Sequence, residues 1–220
     1  HLMRRKDRAK ELVEVAEPWD LIIVDEAHHA RRRSAGAAKE GPPNRLLDLL
    51  RKLKNKTKGL LLMTATPMQV SPVEVWDLLD LLGLPPIWTS QAFLAFFAKA
   101  AQHNPSNEDM AYLAGLFRAV EAAFGPVDQE QAKRFMENKS GFKAKKLLGV
   151  LRDPAVTPLK QLDAKDRQAA IRLMLGNTPV SRLISRHTRE LLRNYFKAGM
   201  ISTRISDRIV QDKFVDMTAE

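Results

Sequence analysis

Leu21-Ile22-Ile23-Val24-Asp25-Glu26-Ala27-His28 is the stretch on which the fold turns. Its first four residues are continuously apolar and mostly β-branched, and they give way abruptly to two acids. A buried parallel strand reads this way at its carboxyl end, where side chains that act on ligands collect in open α/β sheets. Outward from it, Arg31-Arg32-Arg33, Gly36 and Gly41-Pro42-Pro43 mark a loop, and an amphipathic helix is predicted over 44–54. Gly59-Leu60-Leu61-Leu62-Met63 then makes a second buried strand. Strand, helix, strand is the signature of a parallel sheet, so the fold class is α/β.

Upstream, residues 3–17 carry apolar positions at helical spacing until Pro18 breaks the pattern. Downstream, Ser71-Pro72-Val73-Glu74 places an N-cap, a first-turn proline and an acid three residues after the cap, and Gly83 closes the helix they start. From 89 to 176 the apolar spacing stays helical, broken at His103-Asn104-Pro105-Ser106, Gly125-Pro126, Ser140-Gly141 and Asp153-Pro154. Four or five helices without strands are expected there. A strand over 180–185, a helix over 188–197 ended by Gly199 and a strand over 208–217 complete the reading. Three regions result: 3–88 as part of a parallel-sheet domain, 89–178 as a helical insertion, and 179–220 as a return to the sheet domain.

Composition narrows the partners. Thirty-six Lys and Arg against 26 Asp and Glu give a formal charge of +10 and a pI near 9.9, a balance that favours polyanions such as DNA or RNA. Cysteine is absent, which excludes disulfide scaffolds and thiolate metal sites. No apolar run approaches the roughly 20 residues of a membrane span, and the first residues lack the apolar core of a signal peptide. A cytoplasmic protein, bacterial in origin, is expected. His1-Leu2 ahead of Met3 reads as a cloning remnant.

Thr64-Ala65-Thr66-Pro67 follows the second strand as Asp25-Glu26-Ala27-His28 follows the first, so two polar clusters are expected on one sheet edge. Phosphoanhydride hydrolysis needs one carboxylate to hold hydrated Mg2+ against the phosphates and another to orient and deprotonate water. Asp25 suits the metal and Glu26 the base, the latter in a poorly solvated setting. The bland rival is a solvated acidic turn after a strand, and a transition-metal hydrolase built on Asp25, Glu26, His28 and His29 is a third reading that no further His or Cys completes. Trp76, Trp88, Phe93, Phe96 and Phe97 read as core rather than as a base-stacking surface. Arg51, Lys52, Lys54, Lys56 and Lys58 read as a solvated face, and Arg31-Arg32-Arg33 as a basic loop.

Residues 21–28 resemble motif II (Walker B) of superfamily 2 helicases, and Leu62-Met63-Thr64-Ala65-Thr66-Pro67 resembles their motif III. Thr66-Pro67-Met68-Gln69 with Glu74-Val75-Trp76-Asp77-Leu78-Leu79 is similar to the Swi2/Snf2-like branch, as is Ile184-Ser185-Arg186-His187-Thr188-Arg189. Ala65 and Val70 depart from that branch, which carries Gly and Asn at those places. The resemblance implies a RecA-like parallel sheet of the P-loop NTPase type, an ATP and Mg2+ requirement, and coupling of hydrolysis to a nucleic-acid path through His28, Thr64 and Thr66. By their helical spacing, Arg186, Arg189 and Arg193 suit either phosphate contacts with nucleic acid, double-stranded DNA first, or salt bridges within the fold. No Gly-x-x-x-x-Gly-Lys-Ser/Thr loop occurs in the chain, so an incomplete sheet is expected: a fragment lacking the phosphate-gripping segment and the second motor domain, inactive by itself. The other reading is a nucleic-acid- or protein-binding helical module on a degenerate, non-hydrolysing core.

Overall fold

The structure is a computed structural model, and it describes residues 6–33, 41–66, 71–135, 140–156, 158–186, 189–204 and 206. Helix α1 (Lys6–Glu14) leads into β1 (Trp19–Val24), and α2 (Arg45–Leu53) crosses to β2 (Thr57–Leu62). The strands pair in parallel with Leu21 opposite Gly59 and Val24 opposite Leu62. Close pairing is aided by Gly59, where a Cβ would meet Leu21 Cδ1 at 3.2 Å. The result is α/β, mostly helical with a two-stranded parallel sheet, and is compatible with an incomplete RecA-like fold. Among the described residues no helix is long and apolar enough to cross a membrane.

The strands differ from expectation in one respect. Both were expected to be buried on two faces, yet Leu21, Ile23, Leu61 and Met63 are each about half exposed. Ile22, Val24, Leu60 and Leu62 alternate with them and are half-buried. Helices cover one face only among the described residues. There Val24, Leu60 and Leu62 pack on Ala27, Ala30, Leu47, Leu50, Leu78 and Leu81.

Local signals explain the helix ends. Asn44 caps α2 by accepting from Leu47 N–H, and Ser71 caps α3 (Pro72–Leu81) with proline in its first turn. Gly83 lies just past α3 at φ 94, where a side chain would be strained. The basic face of 51–58 is partly put to structural use. Lys56 Nζ donates to the Val13 and Ala16 carbonyls at the end of α1, and Lys54 Nζ to the Asp80 carbonyl.

Beyond α3 come α4 (Ser90–Ala100), α5 (Asn107–Phe124), α6 (Gln129–Lys133), α7 (Gly141–Arg152), α8 (Pro158–Gln161) and α9 (Ala164–Leu175). The breaks fall where the sequence places them, and the single-turn helices α6 and α8 are additions that periodicity is too short to show. Residues 180–185 are not a strand: α10 (Pro179–Leu183) occupies them, opened by Thr178 and Pro179. Helix α11 (Arg189–Lys197) matches its expected span, and Gly199 follows it at φ 71. The strand expected over 208–217 lies outside the described residues.

A second core lies among these helices. Trp88, Phe93, Phe96, Met110, Leu113, Leu116, Phe117, Leu147, Leu151 and Leu173 are buried together with Leu79. Trp88 Nε1 donates to the Leu116 carbonyl and Trp76 Nε1 to the Trp88 carbonyl, so both indoles satisfy their polar atom inside. The aromatic residues are core, as their spacing indicates. Helix α3 belongs to both cores, giving Leu78 and Leu81 to the sheet side and Leu79 to the helical side. The chain divides into two compact units, 1–184 and 185–220, so α10 groups with the first and α11 with the second.

Candidate active site

Parallel pairing carries β1 and β2 to the same sheet edge, and the backbone continues the ladder past both strands. Met63 N–H donates to the Val24 carbonyl (2.8 Å) and Ala27 N–H to the Met63 carbonyl (2.9 Å). The chain can close that second bond only by turning sharply after Asp25. Glu26 makes the turn at φ 49, ψ 45, the left-handed region, and a 3-10 turn over Ala27–His29 follows. Among the described residues Glu26 is the one non-glycine with positive φ. Such strain concentrates at sites where geometry outweighs stability.

The two polar clusters meet through His28, whose Nδ1 lies 3.0 Å from Thr64 Oγ1 and 3.1 Å from Glu26 Oε2. Thr64 Oγ1 also accepts from Thr66 N–H at 3.1 Å. His28, Thr64 and Thr66 are thus joined by hydrogen bonds, with the Glu26 carboxylate at ion-pair distance from the His28 ring. His28 is largely buried, its side chain 12% exposed, whereas Glu26 is 58% exposed. The poorly solvated setting expected for Glu26 is not supplied by the described residues.

Asp25 is exposed, and its Oδ1 accepts from Glu26 N–H at 2.8 Å. Among the described residues no group of three or more His, Cys, Asp and Glu side chains is placed to hold a metal. Asp25, Glu26, His28 and His29 therefore form no transition-metal cage, and the His28 and His29 rings lie tilted at 39° to each other with centroids 4.2 Å apart. A lone exposed carboxylate at a strand end does fit hydrated magnesium, which takes one or two carboxylates and completes its octahedron with water and phosphate oxygens.

Arg186, Arg189 and Arg193 fall in the second unit, with Arg189 and Arg193 one turn apart on α11. Arg186 is exposed and Arg193 half-buried.

Sequence reasoning missed the ionic cluster behind the turn. Arg32, read as one of three arginines in a basic loop, has a side chain 15% exposed and pairs with Asp77, which is wholly buried. A charged residue in the apolar run Val75-Trp76-Asp77-Leu78-Leu79 is the signal that could have disclosed it.

The model of one family, the SNF2-related domain, matches residues 2–135. The match takes in both polar clusters and runs on through α4 and α5, helices to which no motif had been assigned. No solved structure matches the chain. With more than half of its length covered, the chain belongs to the SNF2-related domain family, whose members are ATP-hydrolysing, helicase-like enzymes.

Proposed function

We propose that this chain forms the magnesium-and-water half of the ATP site in a motor that moves along, or remodels complexes on, duplex DNA. The observation that carries the reading is the continuous link Glu26–His28–Thr64–Thr66, which ties a water-activating carboxylate to a turn behind the neighbouring strand. Asp25 holds hydrated magnesium, which neutralises charge developing on the phosphates. Glu26 orients the attacking water and takes its proton. His28 and Thr64 transmit the state of that site to Thr66 and the chain beyond it. The phosphates are gripped by residues outside this sequence, so activity is a property of the full-length protein and not of these 220 residues alone.

Arg186, Arg189 and Arg193 contact the DNA backbone, in keeping with the net charge of +10. The test is ATP turnover by the full-length protein with and without duplex DNA, comparing wild type with Glu26→Gln. Turnover stimulated by DNA and lost in the variant supports the reading. A wild type without DNA-stimulated turnover instead supports a binding module on a non-hydrolysing core.

A further inference from the structure

Behind the strained turn lies a cluster of charge that the sequence places in three separate segments. Asp77, in the middle of α3, has no exposed side-chain surface. Arg32 Nε reaches its two carboxylate oxygens at 3.0 and 3.1 Å, and Arg51 Nη2 of α2 reaches Oδ1 at 3.1 Å. The Arg32 guanidinium lies 5.0 Å from the centroid of the Trp76 ring, a cation–π contact that fixes its plane. One residue earlier, Arg31 Nη1 stands 3.7 Å from Glu74 Oε1, also on α3. Two consecutive arginines directly after the His28-His29-Ala30 turn are therefore fastened to one helix. The same loop is held on its backbone side, where Asn44 Nδ2 donates to the His29 carbonyl at 2.6 Å and Asn44 N–H to the Arg31 carbonyl at 3.0 Å.

A buried ionic cluster of this kind is a poor source of stability, since desolvation offsets most of the attraction. Burial indeed pushes the Asp77 carboxyl above its ordinary pKa, in spite of the two arginines beside it. What the cluster supplies is geometry, through directional bonds that an apolar side chain of the same size would not make.

We infer that Asp77 is a positioning residue for ATP hydrolysis: through Arg32 it fixes the loop that carries Glu26 and His28 against α3, the helix that follows the Thr64–Thr66 turn. This rests on the motor reading proposed above. Asp77 ties the loop after the turn to α3 through Arg32. Loosening that brace lets Glu26 wander from the attacking water without altering how ATP is gripped.

The experiment measures kcat and KM for ATP, at saturating duplex DNA, together with Tm, for the full-length wild type, Asp77→Asn, Arg32→Gln and the double variant. Asp77→Asn is expected to lower kcat by about tenfold or more, the scale of a small misplacement of reacting groups, with KM within about twofold. Arg32→Gln should match it, and the double variant should be no worse than either single change. Should Asp77→Asn fail to fold, Arg32→Lys, which keeps the cation and removes the fork, gives the same readout. A lowered Tm with unchanged kcat per folded molecule, a change confined to KM, or multiplying effects in the double variant overturns the inference. A wild type without turnover overturns the motor reading itself, a result visible before any variant is made.

Discussion

Glu26 adopts a backbone conformation that an L-residue occupies at a cost of about 1 kcal/mol. The cost is imposed from a distance, because the turn must bring Ala27 N–H to the Met63 carbonyl on the neighbouring strand's end. Glu26→Gly should therefore raise stability by roughly 1 kcal/mol in thermal unfolding while removing the carboxylate proposed to activate water. Glu26→Gln should remove turnover and leave stability where it was. A stability gain absent from the glycine variant would mean that the turn is not strained. Asp77 gives a second residue-level expectation with a definite sign. Its folded pKa is raised by burial, so its contribution is complete below the unfolded value and is lost as pH rises through the folded one. Wild type should gain on Asp77→Asn as the solution is acidified from neutrality, in unfolding measured at a series of pH values. The place of the acid pair just past β1 was legible because the signal, an apolar run ending in two acids, is local. The left-handed turn and the Asp77 pairing were not, because both are set by partners far along the chain.

Among the elements, α2 shows how one side chain serves two segments. Asn44 accepts from Leu47 N–H at 2.9 Å as a helix cap and donates to the His29 carbonyl in the loop behind the active turn. Asn44→Ala should cost about 1 to 2 kcal/mol in urea unfolding, and Asn44→Ser should restore the part due to the cap. Equal losses in both variants would assign the effect to the His29 contact instead. Helix ends of this sort read well from sequence, as Ser71-Pro72 at the start of α3 and Gly199 after α11 did. Residues 180–185 misled because Val180, Leu183 and Ile184 satisfy a short apolar run and a helical spacing equally well. Thr178-Pro179 decides it, as the start of a helix. The half-exposed strands misled for another reason: an apolar run shows that a strand can be covered on both sides, and the number of covering helices is not written in the strand itself.

At the scale of the molecule, the first unit has two apolar cores that share α3. Leu79→Ala and Leu78→Ala, one residue apart, should each destabilise by about 2 to 5 kcal/mol but in different places. Amide hydrogen exchange should quicken in α4, α5 and α9 for the first and in α2 and β2 for the second. Identical exchange patterns would show that the cores unfold as one. Acid should weaken the helical side first. A hydrogen bond from Lys99 holds the Asp109 carboxyl low, and the Asp166 backbone N–H does the same for Asp163, so both contribute stability above the usual carboxylate range and lose it as pH falls.

The sharing of α3 also bears on how parts can be exchanged. A helix whose two faces are committed to different cores ties them together, so an exchange of the helical block is expected to disturb the sheet side as well through Leu78 and Leu79. The sheet-facing side of α3, Leu78 and Leu81, is matched to α2 and to the turn after β1, so a change of size on any of them is felt by the others.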